Sequence, residues 1–491
     1  MFYLFHRLGV QSNVVVSARY EGGELTKPAV LAALRTVALK HSALWHVFVY
    51  SPYPKKKGQH ILNLATLDTI DLEPLVTIVE DDGHGLTPEF LEQFHNEWLY
   101  TTNDPDVPWW KLVVKGRDLV FVYHHVVADG MSGQVFHREI LEALNSTDAT
   151  TAQADEKYIV HRADTKLHVT TEPLDIWKAR NNILELIWIT ISWIGIFTWY
   201  GASYIYGTFP APKPVPRGAT SVLEMSQRNI SRVVTHRIPA PKMARILAAC
   251  RENGVTFTPL LLTMLTIVLG TEFFPTAKLG VSRYSYDLRP HIAMEKIDGA
   301  TRNGVMLNAS SGGQHPHRVA GFRKAIPFEA GKNPKISTVR DAPIDAGIVW
   351  PMVKSYKEEM RKMMHGRGLR LWNSAKIMPP TLEGFVGQIW DALSRTLPPT
   401  YHVSNLGAFT ADPLTGEKDD GPKTWSITDM QFSVGPTNAN VGSKGVIFSV
   451  AGVKGGDTVI HGNFDECVVS KEVAQDIIDR VTARIYELVN V

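Results

Sequence analysis

The sequence predicts an α/β protein of two lobes, and three observations carry that reading. Strand-like and helix-like runs alternate along most of the 491 residues. A chain of that length has room for two or three units of about 150 residues each. A polar stretch, Asp148 to Asp164, and a Pro-rich run, Pro210-Ala211-Pro212-Lys213-Pro214-Val215-Pro216, bracket a connector between the halves. The expected division is an N-terminal lobe of residues 1–178, an apolar connector and Pro-rich linker of 179–217, and a C-terminal lobe of 218–491.

The elements follow in order. Val14-Val15-Val16 with Ala18 and Tyr20 reads as a strand, Glu21-Gly22-Gly23 as a turn, and Val30 to Leu39 as a helix with apolar residues near helical spacing. Trp45 to Tyr50 is a second strand. Trp110 to Val114 and Leu119 to Tyr123 are β-rich runs around Lys115-Gly116-Arg117-Asp118, the pattern of a hairpin. Beyond it, Val135, Phe136, Ile140, Leu141 and Leu144 recur as one helical face, with Ser132 in the expected N-cap region. The C-terminal lobe opens with a strand, Val234 to Arg237, and a helix, Pro241 to Cys250. Thr258-Pro259 then opens a very apolar helix through Leu269, with Thr as cap and Pro in the first turn. A helix from Lys471 to Leu488 is the last element expected.

Composition removes several classes. Hydrophobic residues at 44% and charged residues at 20% argue against disorder, collagen and coiled coil. Lys+Arg at 51 against Asp+Glu at 49 gives a net charge of +2, so no global pull toward nucleic acid is expected. Cys250 and Cys467 are the only cysteines, which excludes a disulfide framework and a Cys-rich metal cluster and makes the cytoplasm the expected compartment. Met1 to Arg7 is apolar but has neither a basic n-region nor a small-residue cleavage site, so no secretory signal is expected.

The second hairpin strand leads directly into His124-His125-Val126-Val127-Ala128-Asp129-Gly130-Met131-Ser132-Gly133, at a junction between a strand and a helix. Histidine takes a proton near neutral pH, and His125 lies four residues before Asp129 across a Gly-bounded turn, which suits a base beside a carboxylate that holds the local structure. On the residues alone, a pair of packed histidines at a strand end accounts for the same string. A metal site of His124, His125 and Asp129 is a further reading, but no third cluster of ligand-type residues stands at suitable spacing, and no metal is expected. Neither cysteine is near the histidines, and Gly130-Met131-Ser132-Gly133 is not a nucleophile elbow, so no acyl-enzyme is expected. No Walker A loop or dinucleotide glycine fingerprint is present.

The string HHVVADGMSG resembles the HHxxxDG signature of the chloramphenicol acetyltransferase-like superfamily, which includes condensation domains, plant acyltransferases and fungal alcohol acetyltransferases. Upstream, Leu34 to His46 resembles the superfamily's helix and His-x-x-Leu segment, and Pro108-Trp109-Trp110-Lys111-Leu112 its Pro-Leu-Trp-Arg-Leu strand. Downstream, Tyr286-Asp287-Leu288-Arg289-Pro290 is similar to its arginine segment, Asn303-Gly304-Val305 to its Gly-containing strand, and Ser404-Asn405-Leu406-Gly407 to its Ser-Asn-x-Gly strand. Essentially the whole chain is covered. The DFGWG box of the plant branch is absent, with Phe432-Ser433-Val434-Gly435-Pro436 in its place, and the fungal alcohol acetyltransferase branch is the nearest in character.

The resemblance implies a pseudo-dimer of two αβ lobes with a tunnel between them, acyl thioester entering from one side and acceptor from the other. It makes His125 the general base, with His124 shaping the site and Gly130 part of the motif. Asp129 would be structural, paired with Arg289 from the other lobe. Ser404 and Asn405 would contact the oxyanion or the acceptor, although Ser-Asn before Gly is also good turn chemistry. The implied activity is a CoA-dependent O-acyltransfer, of the acetyl-transferring kind, to a hydrophobic terpenoid, polyketide or fatty alcohol, an ester-forming step of secondary metabolism. Acetyl-CoA or another acyl-CoA is then a co-substrate rather than a bound cofactor. No residue is singled out for binding it, its phosphates falling to scattered Lys and Arg. A monomer is expected. An N-acyltransferase or condensation-type enzyme using a carrier-bound thioester, and a non-catalytic scaffold of the same fold, are the alternatives; the intact His125, Asp129 and Gly130 argue against the scaffold.

Leu186 to Pro212 runs for about 27 residues without a charge, long enough to cross a bilayer. A spanning helix would put the lobes on opposite sides of a membrane and destroy a site built from both. A monotopic contact through Leu186 to Tyr206 keeps them together. Trp188, Trp193, Trp199, Tyr200, Tyr204 and Tyr206 suit a membrane interface, and Lys178, Arg180, Lys213 and Arg217 could meet headgroups of the endoplasmic reticulum or another intracellular membrane. A buried helix across the lobe interface is the alternative.

Overall fold

The computed structural model describes residues 2–7, 11–97, 105–146, 158–164, 183–200, 205, 229–291, 304–327, 336–367, 381, 384, 400–411, 424–436 and 444–491. The Pro-rich run at 210–216, residues 148–157, Asn303, Tyr204, Tyr206, and the basic residues Lys178, Arg180, Lys213 and Arg217 lie outside them.

The chain begins with helix α1 (Phe2–Arg7), β1 (Val14–Glu21), α2 (Lys27–Lys40), β2 (His46–Pro52), β3 (His60–Thr66), β4 (Thr69–Asp71), β5 (Val76–Val79) and α3 (Pro88–Asn96). The hairpin β6 (Trp110–Lys115) and β7 (Asp118–Tyr123) follows, then α4 (Gly130–Asn145), β8 (Ile159–His161) and α5 (Ile183–Tyr200). Next come β9 (Ser231–Ile238), α6 (Ala240–Glu252), α7 (Phe257–Val268), β10 (Leu279–Asp287) and β11 (Ser310–Arg318). The short helices α8 (Val319–Phe322) and α9 (Ile336–Asp341) precede α10 (Ala346–Lys362), the strands β12 (Thr400–Phe409), β13 (Ser426–Val434), β14 (Lys444–Val453) and β15 (Thr458–Asp465), and finally α11 (Lys471–Val489).

The fold is α/β, with one main sheet for each lobe. The first has the order β13-β1-β7-β6-β5 and the second β11-β10-β12-β14-β15-β9. Helices α2 and α4 pack together over the first sheet, burying Val30, Leu34 and Val37 of one and Phe136, Ile140 and Leu144 of the other. Helices α6, α7, α10 and α11 form the helical layer of the second lobe. Every residue of α7 from Pro259 to Val268 is buried, as expected of a helix apolar on all sides.

One strand belongs to the other half of the sequence. β13 pairs antiparallel with β1, placing Val14 opposite Val434 and Val16 opposite Phe432, so the N-terminal sheet is completed by residues 426–434. The lobes are tied again where Glu92 of α3 accepts the Val233 N–H at 3.0 Å and an Arg232 N–H at 3.0 Å. Beside them, His95 lies between Ser12 Oγ at 2.8 Å and Ser433 Oγ at 2.7 Å.

Several local expectations need correction. Asp129, not Ser132, caps α4: its extended backbone and short carboxylate meet the Ser132 N–H at 2.9 Å, and Ser132 is already helical. α7 begins at Phe257 with Thr256 as the cap residue, so Thr258 lies inside the first turn. Trp45 ends a 3₁₀ turn, Ser42–Trp45, rather than starting a strand, and its indole N–H donates to Ala38 O at 2.7 Å. The end of the polar stretch is not loop: Ile159–His161 pairs with Thr69–Asp71, burying Val160 against Ile70.

The apolar segment divides in two. α5 presents Leu184 (79% exposed), Ile187, Trp188 (67%), Ile191, Ile194 and Trp199 (84%) to the outside. Ile205, expected to be part of the same contact, is instead buried in the C-terminal core, its N–H bonded to Leu279 O at 2.9 Å. Among the described residues no single helix is long and apolar enough to cross a membrane.

Candidate active site

The end of β7 delivers the two histidines. The His124 N–H bonds to Trp109 O at 2.9 Å, and a turn closes from the Val127 N–H to His124 O, also at 2.9 Å. His124 is fully buried, and its Nδ1 accepts the Val126 N–H at 3.0 Å, which places the proton of the neutral ring on Nε2. Its ring packs among His6, Trp109 and Tyr3, with centroids at 4.2, 5.1 and 6.0 Å. His125, one residue on, faces a cavity of about 320 Å³ lined by both lobes. From the N-terminal side come Phe2, Gly130 and Met131, and from the C-terminal side Arg283, Ser404 and Leu406.

Two contacts hold His125. The Phe2 ring stacks on it at 4.0 Å between centroids and 9° between planes. The Asn308 amide donates to the His125 carbonyl oxygen and stands 3.2 Å from its Nδ1. Asn308 was not singled out in the sequence; its signal lies only in its place just beyond the Asn303-Gly304-Val305 segment.

Asp129 does different work. Its Oδ1 accepts from the Ser132 N–H (2.9 Å), the Ser132 hydroxyl (2.8 Å) and Arg289 Nη2 (3.0 Å), while Oδ2 accepts from Arg289 Nη1 (2.9 Å) and the Ala309 N–H (2.9 Å). Both side chains are 2% exposed. Burial alone would raise the carboxyl pKa, but the Arg289 charge and the Ser132 and Ala309 N–H groups outweigh it and hold the group below its ordinary value. Burial likewise opposes the Arg289 charge, and the charges of Asp129 and Asp287 push its pKa up, so the pair is ionised.

Arg289 also donates from Nη2 to Val305 O at 3.3 Å and Leu307 O at 3.1 Å, and the Leu307 N–H reaches Ser132 Oγ at 3.1 Å. The ion pair therefore clamps the 305–309 segment, and Asn308 of that segment reaches His125. The chain of contacts runs from charge pair to loop to histidine.

The remaining candidates separate. Gly130 lines the cavity, and a Cβ there would come within 2.6 Å of Leu406 Cδ2. Gly133, not proposed as a site residue, is tighter: a Cβ would lie 2.4 Å from Val16 Cγ2 and 2.8 Å from Val16 Cβ, so this glycine lets α4 approach β1. Ser404 faces the cavity from β12. Asn405 also lines the cavity, its Nδ2 donating to Thr258 Oγ1 of α7 at 3.0 Å and its Oδ1 accepting the Gly407 N–H at 2.8 Å. Those bonds stabilise an irregularity in the β12–β14 register between Asn405 and Ala408, where Gly407 takes a φ of 75°. Among the described residues no group of three or more His, Cys, Asp or Glu side chains is arranged to hold a metal ion.

A family profile described as alcohol acetyltransferase matches residues 1–289. Among curated proteins, the chain is similar to a probable alcohol acetyltransferase, crmB, of Aspergillus fumigatus: 30% identical over 182 residues, 32% of this chain and 38% of that protein. It is also 23% identical over 311 residues, 58% of this chain and 62% of the relative, to an uncharacterized protein of Schizosaccharomyces pombe. The chain thus spans 38% and 62% of the length of these two relatives. Of solved structures, the trichothecene 15-O-acetyltransferase TRI3 of Fusarium sporotrichioides is similar with a TM-score of 0.65, 11% identity, and coverage of 98% of this chain and 92% of that one. The first condensation domain of the calcium-dependent antibiotic synthetase is similar with a TM-score of 0.56, 13% identity, and coverage of 99% and 94%. At these identities the two structures speak for a shared fold.

Proposed function

The chain belongs to the alcohol acetyltransferase family, and from that premise we propose that it transfers an acyl group, acetyl in the first instance, from acyl-CoA to the hydroxyl of a hydrophobic alcohol. The observation that carries this reading is His125 at the wall of the cavity between the lobes, held by Asn308 while Asp129 is wholly engaged elsewhere.

In this reading His125 takes the acceptor's hydroxyl proton as the oxygen attacks the thioester carbonyl. The tetrahedral oxyanion collapses, the carbon–sulfur bond breaks, and the imidazolium returns the proton to the departing thiolate. Ser404 is the better placed of the two candidates to meet the oxyanion or acceptor, since the Asn405 amide is committed to Thr258 and Gly407. Purified protein incubated with acetyl-CoA and a panel of hydrophobic alcohols and amines is expected to release free thiol with the alcohols, the ester being identified by mass. Amide formation would favour the N-acyltransferase alternative, and no thiol release across the panel would refute the proposal.

The exposed face of α5 is assigned to the surface of an intracellular membrane. Leu184, Ile187, Trp188, Ile191, Ile194 and Trp199 are large apolar side chains left outside. Apolar surface in water costs about 25 cal/mol per Å², so such a stripe is expected to find cover. Lying in the interface rather than crossing it keeps together the two lobes that line the cavity, which a spanning helix would part. Wild-type protein is predicted to co-sediment with liposomes, and replacing Ile187, Ile191 and Ile194 with Ser should release it while sparing transfer to a soluble short-chain alcohol. Wild type that stays in the supernatant would refute the contact.

A further inference from the structure

Gln11, Ser12 and Asn13 are three buried polar residues in a row, 5%, 2% and 0% exposed, on the segment that leads into β1. Two of them are committed to the protein. Ser12 Oγ meets His95 Nδ1 at 2.8 Å and the Ser12 N–H donates to Gly435 O at 2.7 Å, while Asn13 donates from Nδ2 to Phe94 O at 2.8 Å and stands 3.2 Å from His6 Nε2 through its Oδ1. Gln11 differs from both. Among the described residues its amide has no hydrogen-bond partner, its polar atoms are not sealed within protein, and Gln11 lines the cavity.

The sheet places this amide near the chemistry. Val14 lies opposite Tyr123 of β7, two residues before His125, so the chain enters β1 at the end of the sheet where β7 delivers the histidines. The wall beside it is apolar: Val14 pairs with Val434, and both line the cavity together with Phe432. Ser12 and Asn13, anchored at the lobe interface, fix the backbone that carries Gln11. A carboxamide offers two N–H donors and a carbonyl acceptor, and withdrawing it from water without a partner costs free energy. An apolar side chain of the same length would line the wall without that cost. The amide makes sense where a ligand supplies the partner, because a site that hydrogen-bonds a substrate oxygen also rejects the analogue lacking it.

We propose that Gln11 hydrogen-bonds a neutral oxygen, carbonyl or hydroxyl, carried by a substrate against the Val14–Val434 wall. The inference rests on the acyltransferase reading and narrows it. If the acceptor carries the oxygen, the preferred acceptor is an alcohol with a second oxygen function on an otherwise apolar skeleton. If the donor carries it, Gln11 meets an amide carbonyl of the pantetheine arm of CoA.

Calorimetric titration of wild type and Gln11→Met separates the two sources without depending on turnover. One arm compares medium-chain alcohols with keto-alcohols of equal length whose carbonyl is moved along the chain, and the other compares pantetheine with an alkanethiol of similar length. In one arm wild type should prefer the oxygenated ligand, and Gln11→Met should lose about three- to tenfold of that affinity ratio, the value of one hydrogen bond. The arm that responds identifies the substrate bearing the oxygen. Because no described protein group depends on the amide, the unfolding midpoint of Gln11→Met should equal or exceed that of wild type. A ratio indifferent to Gln11→Met in both arms overturns the proposal, leaving with a lowered midpoint a structural residue and with an unchanged one an amide served by water alone. Thiol release is followed with acetyl-CoA and the same alcohols: oxygen-dependent binding without transfer would sink the acyltransferase reading and leave the Gln11 site standing.

Discussion

Replacement of His125 by alanine is expected to lower acyl transfer by about a hundred- to ten-thousand-fold, the usual contribution of a positioned general base. The imidazole stands at the cavity wall with Phe2 on its face and Asn308 at its Nδ1 and carbonyl, so truncation removes the proton acceptor and little of the core. Circular dichroism and the unfolding midpoint should stay near wild type while kcat collapses. Near-normal turnover by a folded His125→Ala protein would refute the mechanism. His124→Ala should differ in kind. That ring is fully buried between Tyr3, His6 and Trp109 and caps the Val126 N–H, so its loss is expected in stability before chemistry.

Breaking the Asp129–Arg289 pair from either side should cost roughly 3–5 kcal/mol of stability, because the partner is left as an uncompensated buried charge. Activity should fall with it, since the same pair holds the 305–309 segment from which Asn308 reaches His125. Urea unfolding of Asp129→Ala, Arg289→Ala and the double variant tests this, the double variant being expected to lose less than the sum of the singles. Single variants with unchanged midpoints would remove the pair from the account. The comparison belongs at neutral pH. A carboxylate whose folded pKa is lowered stabilises fully above its ordinary value of 3.8, and that contribution disappears as pH falls through the lowered value. Burial also lowers the pKa of His137 and His461 to about 4 and of His95 to about 3. These rings stay neutral in the fold while the unfolded chain takes up protons below 6.5, so wild type already loses stability between pH 6.5 and about 4, before the Asp129 contribution is touched.

Much of the site was legible because its signals are local. Asp129 caps a helix three residues before Ser132, His125 precedes it on the same turn, and the hairpin that delivers them shows as two β-rich runs around Lys115-Gly116-Arg117-Asp118. The Arg289 partner came from resemblance, since nothing in the sequence measures a separation of 160 residues in space. Asn308 and Phe2 escaped for the same reason: each reaches His125 from another segment, and neither carries a pattern that says so. Asn405 lines the cavity beside Ser404, and what its string could not show is that its amide is also bonded to Thr258 of α7 and to the Gly407 N–H. The apolar run was read correctly as unusual, but periodicity could not show that Ile205 returns to the C-terminal core while α5 stays outside.

The position of β13 also constrains how the molecule can be made. Val14 pairs with Val434, so β1 emerges from the ribosome long before the strand that covers its open edge. At 5–20 residues per second the gap of some 400 residues takes roughly twenty seconds to over a minute. Throughout that time Val14, Val15 and Val16 stand at a sheet edge able to pair with another nascent chain. The first lobe therefore cannot finish as an autonomous unit ahead of the second. The chain must close as a ring, its early sheet completed almost last, which exposes the nascent protein to misassembly during synthesis rather than after it.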